Sequence, residues 1–224
     1  MADRPASEAQ LLRWAEALAG IARTGLGFTE SLYERERFEE VLAVAGDIRH
    51  AADAETDRDE IIQEWLKGVG KGVPGYVTPK VAVGAVVGND AGEILLVQRA
   101  DSGVWLYPTG WADVGYSASE VAVKEVAEET GIHCEVQGLM AVLDGFRAGF
   151  TRVPLYSLVF ACRSLGGELR AHPLETSAVG WFGRDSLPSP LASYDLWGEM
   201  AFAAIDGHPS PVWFDQVREP PWHE

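Results

Sequence analysis

Apolar residues in the first third of the chain recur at the spacing of one helix face. After Ser7, a residue type that caps helix N-termini, this spacing continues to Ile21. A second segment runs from Thr29 to about Ala52, and Thr56 is the predicted N-cap of a short third helix with acids in its first turn. We therefore predict a helical domain over residues 1–67. This domain alone cannot bury all its apolar side chains, so we expect it to pack on the remaining chain or on a second copy of the protein.

Residues 68–79 are rich in glycine, lysine and proline, which predicts a linker. Their glycine spacing is similar to that of a dinucleotide-binding loop. Such a loop follows a strand and opens a helix, whereas this stretch precedes a strand. We therefore assign the linker no role in phosphate binding.

From Lys80 the pattern changes to short apolar runs with one strong amphipathic helix. Val81–Val87 and Ile94–Gln98 flank Asn89-Asp90-Ala91-Gly92, which predicts a hairpin. Helices are predicted at Ala118–Thr130 and Tyr194–Ile205. Further strands are predicted near Glu135–Leu143, Leu155–Arg163, Gly167–Ala171 and Ala178–Phe182. This order indicates an α+β fold, an α/β/α sandwich with a mixed sheet, over residues 80–210, followed by a tail at 211–224.

The composition is that of a globular protein, with 224 residues of which 47% are apolar and 23% charged. The longest apolar run is far shorter than the roughly 18 residues of a membrane span. The N-terminus lacks the basic start and apolar stretch of a signal peptide. We therefore expect a cytoplasmic protein that has no membrane partner.

The formal net charge of −16 argues against a nucleic-acid partner, because phosphate backbones require a basic surface. A small nucleotide substrate remains compatible, since a divalent metal can supply positive charge locally. Binding of such an anionic substrate is then expected to depend strongly on the metal.

The two cysteines, Cys134 and Cys162, lie in apolar, strand-like stretches. We predict reduced core thiols, with a disulfide as the alternative. Neither the cysteines nor the five histidines show the spacing of a metal site.

The segment from Gly110 to Ile132 carries the candidate chemistry. Glu125, Glu128 and Glu129 stand at i, i+3 and i+4, so they share one face of the predicted helix. Three neighbouring carboxylates suit a hard divalent cation such as magnesium or manganese. An exposed acidic face in an acidic protein is the alternative that these three residues alone leave open.

The whole segment, GWADVGYSASEVAVKEVAEETGI, resembles the Nudix box, in which a glycine, a loop, a helix carrying Arg-Glu-x-x-Glu-Glu and a closing glycine recur. The matching positions are Gly110, Glu125, Val126, Glu128, Glu129, Gly131 and Ile132. The resemblance extends over about residues 78–185. With GYVTPKV and the N-terminal TGLGFTESLYERERFEEV, the chain looks like the Nudix subgroup of ADP-ribose and CDP-choline pyrophosphatases, which are dimers with a helical N-terminal domain.

This resemblance implies a Nudix-type fold and attack by water on one phosphorus of a diphosphate, with Mg²⁺ or Mn²⁺ bridging the phosphate oxygens. Glu125, Glu128 and Glu129 are the implied metal ligands and catalytic groups. The resemblance also implies the backbone carbonyl of Gly110 as a further metal ligand. The alternative is that Gly110 is simply a turn residue. The implied partners are a small nucleotide conjugate, of the ADP-ribose or CDP-choline type, and a second copy bound through the N-terminal helices.

Two positions depart from the box. Tyr116 stands where the family has a glutamate, and Lys124 stands where it has an arginine. In the family this pair braces the loop against the helix. We expect the Tyr116 phenol and the Lys124 ammonium to replace this pair, joined by a weaker hydrogen bond.

Residues outside the box supply further candidates. Glu175, shortly before the last predicted strand, is a candidate fourth metal ligand, with a surface-loop role as the alternative. Asp113 and Asp144 are better explained as turn residues. Arg99 and Arg147 are candidate phosphate ligands, although each also fits a simple strand-end or loop charge.

Aromatic residues near these positions are candidates for stacking on a base or ribose. We assign Trp111 and Phe146 to substrate binding, while core packing is expected for at least one of Trp105, Tyr107 and Trp111. The alternative to an enzyme is a catalytically weak Nudix-fold module that senses a nucleotide. Loss of the metal-type glutamates or a basic appendage would favour that alternative, and the sequence shows neither.

Overall fold

A computed structural model describes residues 6–69, 78–113, 115–208 and 211–217, so most of the predicted linker lies outside the described residues. The chain divides into two compact units, Met1–Pro79 and Lys80–Glu224. Among the described residues, no helix is long and apolar enough to cross a membrane.

The described part of the first unit forms three helices: α1 (Glu8–Phe28), α2 (Leu32–Ala52) and α3 (Arg58–Lys67). Small residues let the first two helices approach closely. The buried core of the three helices consists of Ala15, Ala19, Ala22, Leu26, Leu42, Ala45 and, from α3, Trp65. The predicted helical domain is therefore confirmed.

Polar side chains define where these helices begin. Ser7 caps α1 as predicted, in a reciprocal capping box with Gln10. The prediction for α3 was one residue early: Asp57 is its N-cap, and its carboxylate accepts the backbone N–H groups of Asp59 and Glu60 at 2.9 Å. A carboxylate at this position also interacts favourably with the positive end of the helix dipole. The hydroxyl of Thr56 instead donates to Asp53.

The described residues of the second unit form an eight-stranded mixed sheet with a helix on each face. Its strands are β1 (Lys80–Gly88), β2 (Ile94–Arg99), β3 (Trp105–Leu106), β4 (Thr109–Trp111), β5 (Ile132–Asp144), β6 (Leu155–Gly167), β7 (Thr176–Phe182) and β8 (Trp213–Phe214). Its helices are α4 (Ala118–Thr130) and α5 (Tyr194–Ile205), with a 3₁₀ turn at Arg184–Ser186. The order is β3-β2-β1-β6-β5-β8, with β4 on β1 and β7 on β2. β1 pairs with β6, and β5 with β8, in parallel.

The predicted hairpin is present, but its strands separate soon after the turn. Asn89 shapes the turn by accepting the N–H groups of Ala91 and Glu93. β1 and β2 meet at Gly88 and Ile94, after which β1 pairs with β4 and β6 while β2 pairs with β3 and β7.

The two helices cover opposite sets of sheet side chains. α4 packs through Val121, Ala122 and Val126 onto a cluster that includes Val83 and Val87. α5 packs through Trp197, Ala201 and Phe202 onto a second cluster, which includes Val86, Ile94 and Leu96. Cys134 and Cys162 are buried free thiols, as predicted. The predicted α+β sandwich is thus confirmed.

One predicted strand is wrong, and three short strands were not predicted. Residues 168–171 form no strand, because the chain turns at Gly166 and Gly167, whose φ angles of 105° and 123° favour glycine. The N–H of Arg170 then donates to the carbonyl of Thr130 at 2.8 Å. β3, β4 and β8 span only two or three residues, which is too short for periodicity to reveal.

Candidate active site

A cavity of about 930 Å³ opens in the second unit beside α4. The carboxylates in its described lining are Asp101, Asp113, Glu125, Glu128, Glu129 and Glu175, and the cations are Arg99 and Lys124. Aromatic rings, among them Trp111, Phe150 and Trp197, complete the wall. The cavity therefore combines a strongly acidic surface with flat apolar ones.

Local sequence signals determine where α4, the helix beside this cavity, begins and ends. Ser117 and Glu120 form a capping box at its start, and Gly131 ends it with a φ of 73°. A Cβ at Gly131 would lie 2.4 Å from the carbonyl oxygen of Glu168, so this turn requires glycine. Val121 and Val126 of α4 face the sheet, and Glu125, Glu128 and Glu129 line the cavity.

Glu129 is the most buried of these carboxylates, with only 7% of its surface exposed. One of its oxygens, Oε2, accepts the backbone N–H of Thr109 at 3.0 Å. Burial raises the pKa of Glu129 to about 8; the Thr109 N–H opposes this rise, and the charges of Glu125 and Glu175 add to it. The Thr109 N–H therefore fixes the orientation of a side chain whose ionised form is disfavoured by burial.

Glu125 lies directly against the backbone of Gly110 on β4. A Cβ at Gly110 would lie 2.2 Å from Oε1 and 2.5 Å from Oε2 of the Glu125 carboxylate. Burial raises the pKa of Glu125; Lys124 opposes this effect, while Glu128 and Glu175 reinforce it. Only a residue without a side chain permits this close approach.

The donor set fits a hard divalent cation. Glu125, Glu128, Glu129 and Glu175 line one cavity. Burial and neighbouring carboxylates disfavour the ionised forms of Glu125 and Glu129, and a cation would relieve this. As the side chains stand, no three His, Cys, Asp or Glu groups in the described ranges converge on one ion position. Magnesium is usually held by one or two carboxylates, with water and substrate phosphates as its other ligands, so it does not require three converging side chains.

We expected Lys124 to pair with Tyr116, but its described partners are Asp113 and Glu128. Its ammonium lies 2.9 Å from a carboxylate oxygen of Asp113 and 3.3 Å from one of Glu128. Tyr116 is 57% exposed and is not among the described partners of Lys124. A carboxylate binds an ammonium more strongly than a phenol does, so Asp113 provides the contact between loop and helix.

Two of the four predicted substrate-binding residues line the cavity. Arg99 does so while its guanidinium forms a paired contact with Asp101, at 2.9 and 2.5 Å. Trp111 is half-exposed, and the ammonium of Lys80 lies 5.4 Å from its ring centre.

The other two, Phe146 and Arg147, are not part of the cavity lining. Arg147 donates to the carbonyl oxygen of Gln216 at 2.6 Å, which directs its guanidinium to the C-terminal segment. Asp144 behaves as the predicted turn residue, since its carboxylate accepts the N–H groups of Phe146 and Arg147.

Several lining residues had no signal in the sequence. Asp101, Phe150, Ser157 and Trp197 come from separate elements that only the fold brings together. Trp197 stacks edge-on against Tyr107 at 5.1 Å, and burial raises the pKa of Tyr107 to about 12. Trp105 packs against Phe182 in the same way, so the predicted core role holds for both Trp105 and Tyr107.

Comparison with known proteins agrees with this architecture. A NUDIX domain model matches residues 78–198, and a UDP-X-like, N-terminal oligomerisation domain model matches residues 9–63. A Bacillus subtilis protein provisionally named as an ADP-ribose pyrophosphatase is 33% identical over 81% of this chain and 84% of its own length.

Two solved structures are also similar. A UDP-X diphosphatase is 28% identical with a TM-score of 0.54, covering 93% of this chain and all of its own. An ADP-ribose pyrophosphatase from Streptococcus suis is 36% identical with a TM-score of 0.52, covering 62% of this chain and all of its own. Because the NUDIX domain match spans more than half of the residues, the chain belongs to the Nudix hydrolase family.

Proposed function

We propose that this protein hydrolyses the diphosphate bond of a nucleoside diphosphate linked to a second moiety, releasing two phosphate monoesters, with Mg²⁺ or Mn²⁺. The observation that carries the proposal is the group of four glutamates, Glu125, Glu128, Glu129 and Glu175, on the wall of one cavity. The volume of that cavity suits a nucleotide conjugate. Nudix hydrolases generally depend on divalent metals, which agrees with this donor set.

The three cavity-lining glutamates of α4, Glu125, Glu128 and Glu129, would hold the metal, and one of them would accept a proton from the attacking water. A divalent cation, when bound, neutralises diphosphate charge and lowers the pKa of the water. The Thr109 N–H orients the carboxylate of Glu129, and the missing side chain of Gly110 leaves room for that of Glu125. Trp111 and Phe150, which are 51% and 42% exposed, offer flat surfaces for a base or ribose.

Both cations in the cavity lining already have carboxylate partners. Arg99 is held by Asp101, and Lys124 by Asp113 and Glu128. The diphosphate would therefore find little positive charge on the protein itself. We infer that substrate binding depends on the metal, with ADP-ribose, CDP-choline and UDP-linked compounds as candidate substrates.

The test is hydrolysis of a panel containing these compounds, NADH and nucleoside triphosphates, with Mg²⁺, with Mn²⁺ or with EDTA. We expect two monophosphates from one conjugate, at a rate that EDTA abolishes and added metal restores. Product identification by mass spectrometry names the substrate. If no panel member is cleaved by folded protein while a nucleotide still binds, the sensing module replaces this proposal. Equal activity with and without EDTA would refute the role of the metal.

We further propose that two copies associate through the N-terminal helices. The turn between α1 and α2 exposes Phe28 (54%), Leu32 (80%) and Tyr33 (84%), large apolar surface for one unit to leave in water. The N-terminal match to an oligomerisation domain supports this assignment.

Sedimentation equilibrium of the full chain should therefore give twice the 24.3 kDa mass of one chain. The double substitution Phe28→Ser and Tyr33→Ser is expected to weaken association at least about tenfold, because each aromatic side chain contributes roughly 1.5–3 kcal/mol when buried. The control is Leu165→Ser, which changes a similarly exposed apolar residue (56%) in the other unit. Dimers of unchanged affinity in the double variant would place the interface elsewhere.

A further inference from the structure

The loop between β5 and β6, residues 145–154, forms part of the cavity wall. Phe150 and Thr151 line the cavity, together with Leu155 at the start of β6. The loop is closely packed, since a Cβ at Gly145 would lie 2.7 Å from the Phe150 ring and 2.8 Å from the Thr151 methyl group. The position of this loop therefore determines the shape of the cavity at Phe150.

The C-terminal segment, residues 213–216, lies against the base of this loop. β8 pairs with β5 in parallel, with Trp213 opposite Ala141 and Phe214 opposite Val142. Trp213 also packs against the core cluster beneath α5. The next residue, Asp215, accepts the backbone N–H of Asp144 at 2.8 Å. The segment is thus anchored to the sheet immediately before it reaches the loop.

Arg147 completes the attachment from the loop side. Its Nη1 donates to the carbonyl oxygen of Gln216 at 2.6 Å, and its Nε lies 3.7 Å from the Asp215 carboxylate. Both side chains are mostly shielded, with 32% and 22% of their surfaces exposed. An ion pair shielded to this extent is less screened by solvent than a fully exposed one.

Further hydrogen bonds connect Asp144, to which the C-terminal segment is attached, with the rest of the loop. Asp144 accepts the N–H groups of Phe146 and Arg147, at 3.1 and 3.0 Å. The N–H of Phe150 donates to the carbonyl of Gly145, whose own N–H donates to Leu155. Asp215 is therefore connected to the loop and Phe150 through a short series of contacts, in which the carboxylates of Asp215 and Asp144 accept backbone N–H groups and backbone groups continue the series.

We propose that Asp215 and Arg147 are positioning residues that set substrate affinity by holding the 145–154 loop in place as a wall of the cavity. The inference rests on the proposed function for its consequence on substrate. It gives Arg147 a different task from phosphate binding, because its guanidinium is occupied by the C-terminal segment. The glutamates of α4 are not involved, so metal affinity should be independent of this attachment.

Limited digestion of the full chain by trypsin tests the attachment without any assumption about activity. The loop contains two cleavage sites, after Arg147 and after Arg152. Asp215→Ala is expected to speed cleavage at these sites about tenfold, and Asp215→Asn less, because an amide oxygen still accepts the N–H of Asp144. The matched control is Glu135→Ala, which removes the carboxylate partner of Arg163 at the other end of β5. Equal cleavage rates in Asp215→Ala and the control would overturn the proposal.

Kinetics on the substrate found by the panel test the consequence. Asp215→Ala should raise KM about tenfold and change kcat less than about threefold, with an unchanged midpoint for metal activation. Phe150→Ala should remove most of this sensitivity, so the double variant should resemble Phe150→Ala alone. Additive effects in the double variant, or a fall confined to kcat, would overturn the proposal. Absence of hydrolysis in the wild type would instead count against the proposed function, and digestion would still decide whether the loop is held.

Discussion

Replacing Glu129 with glutamine is expected to lower kcat by about a thousandfold, within the range of about 10² to 10⁴ for loss of a group that moves a proton. Glu129 is the most buried glutamate of the cavity, and Thr109 already orients it. Glutamine preserves the size of the side chain and can still accept that N–H. The substitution therefore removes the charge, whether its role is to bind metal or to accept a proton, and steady-state kinetics measure the loss.

The same substitution should have an opposite effect on stability. Without metal, burial disfavours the ionised form of Glu129 in the wild type, and the charges of Glu125 and Glu175 add to that cost; a neutral glutamine removes it. We expect the metal-free variant to have a Tm higher by about 2–4 °C for each kcal/mol gained. Added Mg²⁺ should raise the Tm of the wild type and hardly that of the variant. The control is Glu168→Gln, an exposed residue outside the cavity lining. A variant with wild-type kcat would exclude Glu129 from the mechanism.

The second large effect is expected from Gly110→Ala, which adds one methyl group beside the site. Its Cβ would overlap the Glu125 carboxylate, at 2.2–2.5 Å from three of its atoms. Because the carboxylate must move by roughly an ångström, we expect kcat/KM to fall about a hundredfold. The concentration of metal needed for half-maximal activity should also rise.

Two controls separate this clash from a general effect of alanine in a strand. Gly138→Ala, in β5, meets nothing within 4 Å and should leave kcat/KM unchanged. In the Glu125→Ala background the clashing carboxylate is absent, so adding Gly110→Ala should cost little more. If Gly110→Ala were equally harmful in both backgrounds, the clash with Glu125 would not be its cause.

Local signals explain which parts of the fold could be predicted from the sequence. Both helices of the second unit begin and end where predicted, at Ala118–Thr130 and Tyr194–Ile205. For α4 the signals are its two caps, since Ser117 caps the N-terminus and Gly131 ends the helix in a left-handed conformation. The turn at Asn89 is recognisable for the same reason.

Long-range pairing of charges could not be predicted in this way. With 34 acidic and 18 basic residues, a cation such as Lys124 has several potential partners, and only the fold selects Asp113. Arg147 was predicted to face the substrate, yet its main partner, Gln216, lies 69 residues away. The hydrogen bond from Thr109 to Glu129 likewise depends on where β4 crosses α4.

The helix α4 both packs on the sheet and presents carboxylates to the cavity. Val121, Ala122 and Val126 support the sheet, while the glutamates between and beyond them line the cavity. Any repacking beneath this helix would displace its carboxylates together, as one rigid group. Variants selected only for heat resistance would therefore be expected to drift in their metal requirement, so a screening campaign should follow both properties from its first round.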